Sequence, residues 1–124
     1  MAGMMSDTKN TPLRLGGLLS GGGRTLLNIH EEIQAGRLNA EIVTVVASRP
    51  CKGVQRCREA GLPVEIIPFK DMPDDQTYWD RITANLDQAR VDLVCMAGFL
   101  SFWKIPDHYA GRVMNIHPAL LPLF

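Results

Sequence analysis

The stretch Leu13-Arg-Leu-Gly-Gly-Leu-Leu-Ser-Gly-Gly-Gly-Arg-Thr-Leu26 decides the fold. Its first seven residues are short and apolar, and they run straight into Ser20-Gly21-Gly22-Gly23, so the pattern is that of a strand entering a glycine turn. Helical spacing begins at once. Leu26, Ile29 and Ile33 fall at i, i+3 and i+7 and give one buried stripe, with Asn28, Glu31, Glu32 and Gln34 free to face solvent and Gly36 as a stop. A strand, a glycine turn and a helix in immediate succession form the opening of an α/β unit.

The rest of the chain repeats that alternation. Glu41-Ile-Val-Thr-Val-Val-Ala47 is rich in β-branched residues and nearly continuously apolar, as a parallel strand covered on both faces should be. After Pro50, residues 54–60 read as a short helix stopped by Gly61. Residues 63–69 read as a third strand, placed toward the sheet edge because prolines bracket it. Asp74 is positioned to cap a second long helix, whose apolar face is Tyr78, Ile82, Leu86 and Ala89. Asp92-Leu-Val-Cys-Met-Ala97 is the fourth strand with Gly98 behind it. Residues 99–112 read as irregular, and Val113 starts the fifth strand. This order predicts a Rossmann-like doubly wound parallel sheet with helices on both faces, joined by right-handed crossovers. Residues 1–12 read as a disordered leader and residues 13–124 as one domain that ends after its fifth strand, the first part of a longer protein.

Composition narrows the function. The 13 basic residues balance 13 acidic ones, so no global field points to nucleic acid or a membrane surface, and any anion must be held by local geometry. No apolar run approaches the ~20 residues of a transmembrane helix. Cys51, Cys57 and Cys95 form no CxxC pair and have no histidine cluster at zinc spacing, so neither a disulfide framework nor a structural metal is indicated and a reducing cytoplasm is the expected location.

Two motifs carry chemistry. The glycine loop is a ready anion site: glycines allow close backbone approach, the following helix offers free N–H groups, and Arg24 and Thr25 add a cation and a hydroxyl. It lacks the Gly-Lys-Ser/Thr of a Walker loop, and Leu26 stands where a dinucleotide fingerprint needs its last glycine, so a smaller phosphorylated ligand is expected. A tight turn without a ligand is the competing reading of that motif. The second motif is Val113-Met-Asn-Ile-His-Pro-Ala-Leu-Leu-Pro122. On an extended strand Asn115 and His117 project to one face, which would place an amide donor and a proton carrier together at a strand's carboxyl end. Alone, such a histidine is more often a surface or satisfied core residue than a catalyst.

Taken in order, Ser20-Gly-Gly-Gly-Arg-Thr-Leu26, Ala97-Gly-Phe99, His108-Tyr-Ala-Gly-Arg112 and Asn115-Ile-His-Pro-Ala-Leu-Leu-Pro122 resemble the phosphoribosylglycinamide formyltransferases of purine biosynthesis. The resemblance implies the formyltransferase fold and transfer of a formyl group from 10-formyltetrahydrofolate, as cosubstrate, to the amine of glycinamide ribonucleotide. It implies that Gly22, Gly23, Arg24 and Thr25 hold the ribonucleotide phosphate and that Asn115 and His117 stabilise the tetrahedral oxyanion, His117 also moving a proton. Ala97, Gly98, Phe99, Leu100 and Pro118 would line the cleft between folate and ribonucleotide, with no metal required. Arg24 departs from the family's small polar residue, residues 100–106 are shorter than in bacterial members, and the family's aspartate falls beyond Phe124. The 124 residues alone are therefore expected to be inactive and to self-associate through an uncovered sheet edge. Formyltetrahydrofolate deformylase is the nearest alternative, and its motif usually departs at Pro118. Methionyl-tRNA formyltransferase is disfavoured by the neutral charge. A non-catalytic phosphate-binding or interaction module is the alternative from another class.

Overall fold

The computed structural model describes residues 11–99 and 103–116. Five strands, β1 (Leu13–Leu19), β2 (Ala40–Ala47), β3 (Val64–Ile66), β4 (Leu93–Ala97) and β5 (Val113–Ile116), form one sheet in the order β3-β2-β1-β4-β5. Every neighbouring pair is parallel. Among the described residues three α-helices fill the first three crossovers: α1 (Arg24–Gln34), α2 (Lys52–Glu59) and α3 (Asp75–Gln88). The doubly wound parallel α/β architecture expected from the alternation is the one observed.

Each face of the sheet buries its own core. On one side Leu15, Leu19, Ile42, Val45 and Cys95 meet Leu26 of α1 and Val54 and Cys57 of α2. On the other, Leu18, Val46 and Val94 meet Tyr78, Ile82 and Leu86 of α3, with Trp103 and Tyr109 closing the layer. Successive strand residues alternate between the two clusters, which is why β1, β2 and β4 read as continuous apolar runs. Burial also pushes the Cys57 and Cys95 thiols upward from their ordinary pKa.

Glycines on β1 bring the helices close. A Cβ on Gly17 would lie 2.6 Å from Leu26 Cδ1, so α1 sits against bare backbone there. Two polar contacts then fix α3. Asp74 accepts the Thr77 N–H at 2.7 Å, the cap the sequence placed there, and at the far end Arg14 of β1 donates to the carbonyls of Ala89 (2.9 Å) and Arg90 (3.1 Å). A cation at that end satisfies carbonyls that have no intrahelical partner and complements the helix dipole.

Three departures from expectation exceed a single residue. The third strand keeps only Val64–Ile66 of the anticipated 63–69: the Ile67 N–H makes a last bond to Ala47 O at 2.8 Å, and the chain then turns into a 3-10 segment at Phe69–Asp71. Its edge position is as expected. α2 starts two residues earlier than the pattern suggested, at Lys52, and ends at Glu59. The segment expected to be irregular contains a 3-10 turn, Asp107–Tyr109, that contributes buried Tyr109. Burial and a hydrogen bond to Asp87 (2.9 Å) raise the pKa of the Tyr109 hydroxyl well above its usual value. Residues 1–10, most of the anticipated leader, lie outside the described residues.

Candidate functional site

The winding direction locates the site. From β1 the chain moves outward through β2 to β3, then returns across the sheet to lay β4 on the other side of β1. The carboxyl ends of β1 and β4 therefore flank the point where the order reverses, the place where open α/β sheets form their ligand crevice. Leu18 is in register with Met96, so the glycine loop after β1 and the Ala97-Gly98 corner after β4 leave the sheet side by side. Between them lies a cavity of about 200 Å³ lined by Gly21, Gly22, Gly23, Arg24, Thr25, Ala97 and Gly98. Two motifs more than seventy positions apart in the sequence thus meet in one crevice.

The loop's backbone leaves the start of α1 uncapped. Gly23 takes φ 74°, a left-handed conformation that glycine adopts without a Cβ penalty, and no side chain caps the helix that follows. The first-turn N–H groups of any α-helix lack intrahelical acceptors, and here they open beside the cavity. Arg24 is exposed at the rim and Thr25 half-buried. The loop is anchored from behind. The Gly53 N–H of α2 donates to the Gly21 carbonyl at 2.9 Å, Arg49 Nε to the Ser20 carbonyl at 2.9 Å, and Arg56 Nη1 to the Gly22 carbonyl at 3.1 Å. The buried hydroxyls of Ser20 and Ser48, 2.6 Å apart, tie the ends of β1 and β2 together beneath it.

The remaining candidates are distributed as follows. Asn115 is exposed on β5, opposite Met96 and one position short of the Ala97 corner, and does not line the cavity. Phe99 is half-buried and packs with the α3-side core. His117, Pro118 and Leu100 lie outside the described residues. The sequence reading passed over Gly53, Arg49 and Arg56. A glycine standing between Pro50 and the start of a helical pattern, where bare backbone can approach a neighbour closely, was the one available signal for the first. Two exposed arginines, Arg49 in the bend after β2 and Arg56 on a short helix, carried none.

Fold and crevice together define a doubly wound α/β domain with a glycine-loop crevice at the switch point between β1 and β4. The comparisons narrow that class: a family model described as formyl transferase matches residues 14–124. The chain belongs to the formyl transferase family. It is 37% identical over 116 residues to the trifunctional purine biosynthetic protein adenosine-3 of Drosophila melanogaster, covering 90% of this chain and 9% of that one. It is 34% identical to the chloroplastic phosphoribosylglycinamide formyltransferase of Arabidopsis thaliana, covering 90% of this chain and 39% of the relative. Among solved structures, the phosphoribosylglycinamide formyltransferase of Coxiella burnetii superposes with a TM-score of 0.81 at 34% identity, covering 91% of this chain and 55% of that one. The chain thus spans little more than half, or far less, of the proteins it matches.

Proposed function

We propose that this chain carries the phosphate-binding part of a phosphoribosylglycinamide formyltransferase, acting on glycinamide ribonucleotide with 10-formyltetrahydrofolate as formyl donor. The observation that carries the reading is the cavity in which the Gly21 to Thr25 loop faces the Ala97-Gly98 corner at the switch point of the sheet. The names of the relatives agree with it. The loop amides, Arg24 and Thr25 hold the ribonucleotide phosphate, and the Ala97, Gly98, Phe99, Leu100 segment with Pro118 separates the two substrates.

The glycinamide amine attacks the formyl carbon, and its lone pair forms the new C–N bond while the carbonyl electrons move to oxygen. Asn115 donates a hydrogen bond to that oxyanion. His117 stabilises the same species and transfers the proton from the attacking amine to N10, and as the oxyanion electrons re-form the carbonyl the C–N10 bond breaks and tetrahydrofolate leaves. The charge to be stabilised is a single oxyanion, which hydrogen-bond donors can meet without a metal. Proton transfer at neutral pH suits an imidazole.

The reading places the protein in the cytoplasm, with no nucleic acid or membrane among its partners. Among the described residues no helix is long and apolar enough to cross a membrane. Self-association of the 124 residues would use the β5 side of the sheet, where Met114 is 47% exposed. The test is a titration of ¹⁵N-labelled chain with glycinamide ribonucleotide, followed by folate. Shifts at the Gly22 to Thr25, Ala97 and Gly98 amides are expected from the first ligand. Binding without turnover in the complete protein would favour a phosphate-binding module, and no binding at all would remove the substrate assignment.

A further inference from the structure

All four consecutive carbonyls of the glycine loop are hydrogen-bonded. Ser20 O accepts from Arg49 Nε (2.9 Å), Gly21 O from Gly53 N (2.9 Å), Gly22 O from Arg56 Nη1 (3.1 Å) and Gly23 O from Leu27 N (3.0 Å). Only the last bond belongs to α1 itself. The other three come from the segment that follows β2, which lies next to the loop because β1 and β2 are sheet neighbours.

The consequence follows from covalent geometry. A trans peptide is planar, with its C=O and N–H pointing in opposite directions, and no cis peptide occurs among the described residues. Holding a carbonyl therefore orients the N–H of the next residue. The bond to Ser20 O orients Gly21 N–H, the bond to Gly21 O orients Gly22 N–H, and the bond to Gly22 O turns Gly23 N–H away from the Arg56 guanidinium. A glycine run has more conformational freedom than any other sequence, so without such bonds its amides would sample many directions and an anion would have to order them on binding. A free carbonyl turned toward the cavity would also repel a phosphate.

We propose that Arg56, supported by Arg49, is a positioning residue for the phosphate loop: it acts on the ligand through the Gly22 carbonyl rather than by touching the phosphate. This rests on the phosphate site proposed above. It differs from the role of Arg24, which lines the cavity, whereas Arg56 and Arg49 do not. The Arg56 Nη1 atom stands 3.2 Å from where a Cβ on Gly22 would be, so the guanidinium is seated directly against the loop.

The experiment titrates the ¹⁵N-labelled chain and its Arg56→Ala and Arg56→Lys variants with inorganic phosphate at low and high sodium chloride. Arg56 is exposed, so the variants should fold, and a far-UV melt checks this. In Arg56→Ala the Gly23 amide should already be displaced without ligand, and phosphate affinity should fall about 5- to 10-fold, the weight of one ordinary hydrogen bond. Arg56→Lys, which keeps a donor of similar reach, should recover much of that loss. The ratio of variant to wild-type affinity should stay constant across salt, because a positioning bond is not screened as a long-range charge is. A ratio that collapses toward one at high salt would mean that Arg56 attracts phosphate only by charge, and wild-type affinity in Arg56→Ala would overturn the proposal outright. If the wild-type chain itself binds no phosphate, the site reading fails first and the proposal fails with it. The two failures are therefore distinguishable.

Discussion

Gly53→Ala tests the packing behind the glycine loop. A Cβ on Gly53 would lie 2.4 Å from Gly21 O and 2.9 Å from Gly23 N, both backbone atoms that cannot swing aside as a side-chain tip can. Even close carbon–oxygen contacts settle near ~3.3 Å, so α2 and the loop must separate by roughly 1 Å. Overpacking of that kind costs about 1–3 kcal/mol, and the 2.9 Å bond from Gly53 N–H to Gly21 O, worth about 1 kcal/mol, is stretched at the same time. Alanine returns up to about 1 kcal/mol of helix propensity, less here because Gly53 lies in the first turn. The net loss is about 1–3 kcal/mol, a fall in Tm on the order of 3–12 °C for a domain of this size. Gly21→Ala is the control: its Cβ would meet nothing within 4 Å and its φ is not positive, so its stability should stay within about 0.5 kcal/mol of wild type. Thermal melts by circular dichroism on the three proteins decide the matter. A Gly53→Ala protein that melts with the wild type would show that α2 does not fix the loop's position.

Arg24→Ala should weaken phosphate binding by about 1–3 kcal/mol if the guanidinium makes a charge-assisted bond in the site, and calorimetric titration with a phosphorylated ligand that finds no change would remove Arg24 from it. In the complete protein, Asn115→Ala and His117→Ala should each lower kcat by ~10² or more, whereas an effect confined to KM would make them binding residues only. Asp74→Ala should lower Tm at neutral pH. The backbone N–H of Thr77 holds the Asp74 carboxyl below its ordinary pKa, so its stabilisation is full above the unfolded value of about 3.9 and vanishes as pH falls through the lower folded value. Melts of variant and wild type should converge in acid, and a gap that persists there would mean that the ionised cap is not its source.

The fold was legible where local pattern and tertiary demand coincide. β1, β2 and β4 are buried on both faces, and a continuous apolar run is the direct imprint of that environment. The α3 stripe of Tyr78, Ile82 and Leu86 is likewise the set of residues the sheet covers. Legibility failed where a partner distant in sequence sets the outcome. Trp103 and Tyr109 belong to a stretch without periodicity, yet both are buried, because they pack in the core beneath α3, where Trp103 Nε1 donates to Thr83 Oγ1 (3.2 Å) and the Tyr109 hydroxyl to Asp87 Oδ1 (2.9 Å). No window on residues 99–112 contains those acceptors.

The glycine loop shows the same division within one site. Three glycines after a strand announce that a backbone must come close to something, and in the structure a cavity beside Ala97 and Gly98 adjoins that loop. They do not say which way the amides face. That is set by Gly53, whose missing side chain admits the Gly21 carbonyl, and by two arginines whose exposed positions look like ordinary solvated charge. A phosphate loop needs both a chain permissive enough to form the nest and a framework rigid enough to hold it open. The first is written in consecutive residues, and the second exists only once β2 lies beside β1 and carries α2 up against the turn.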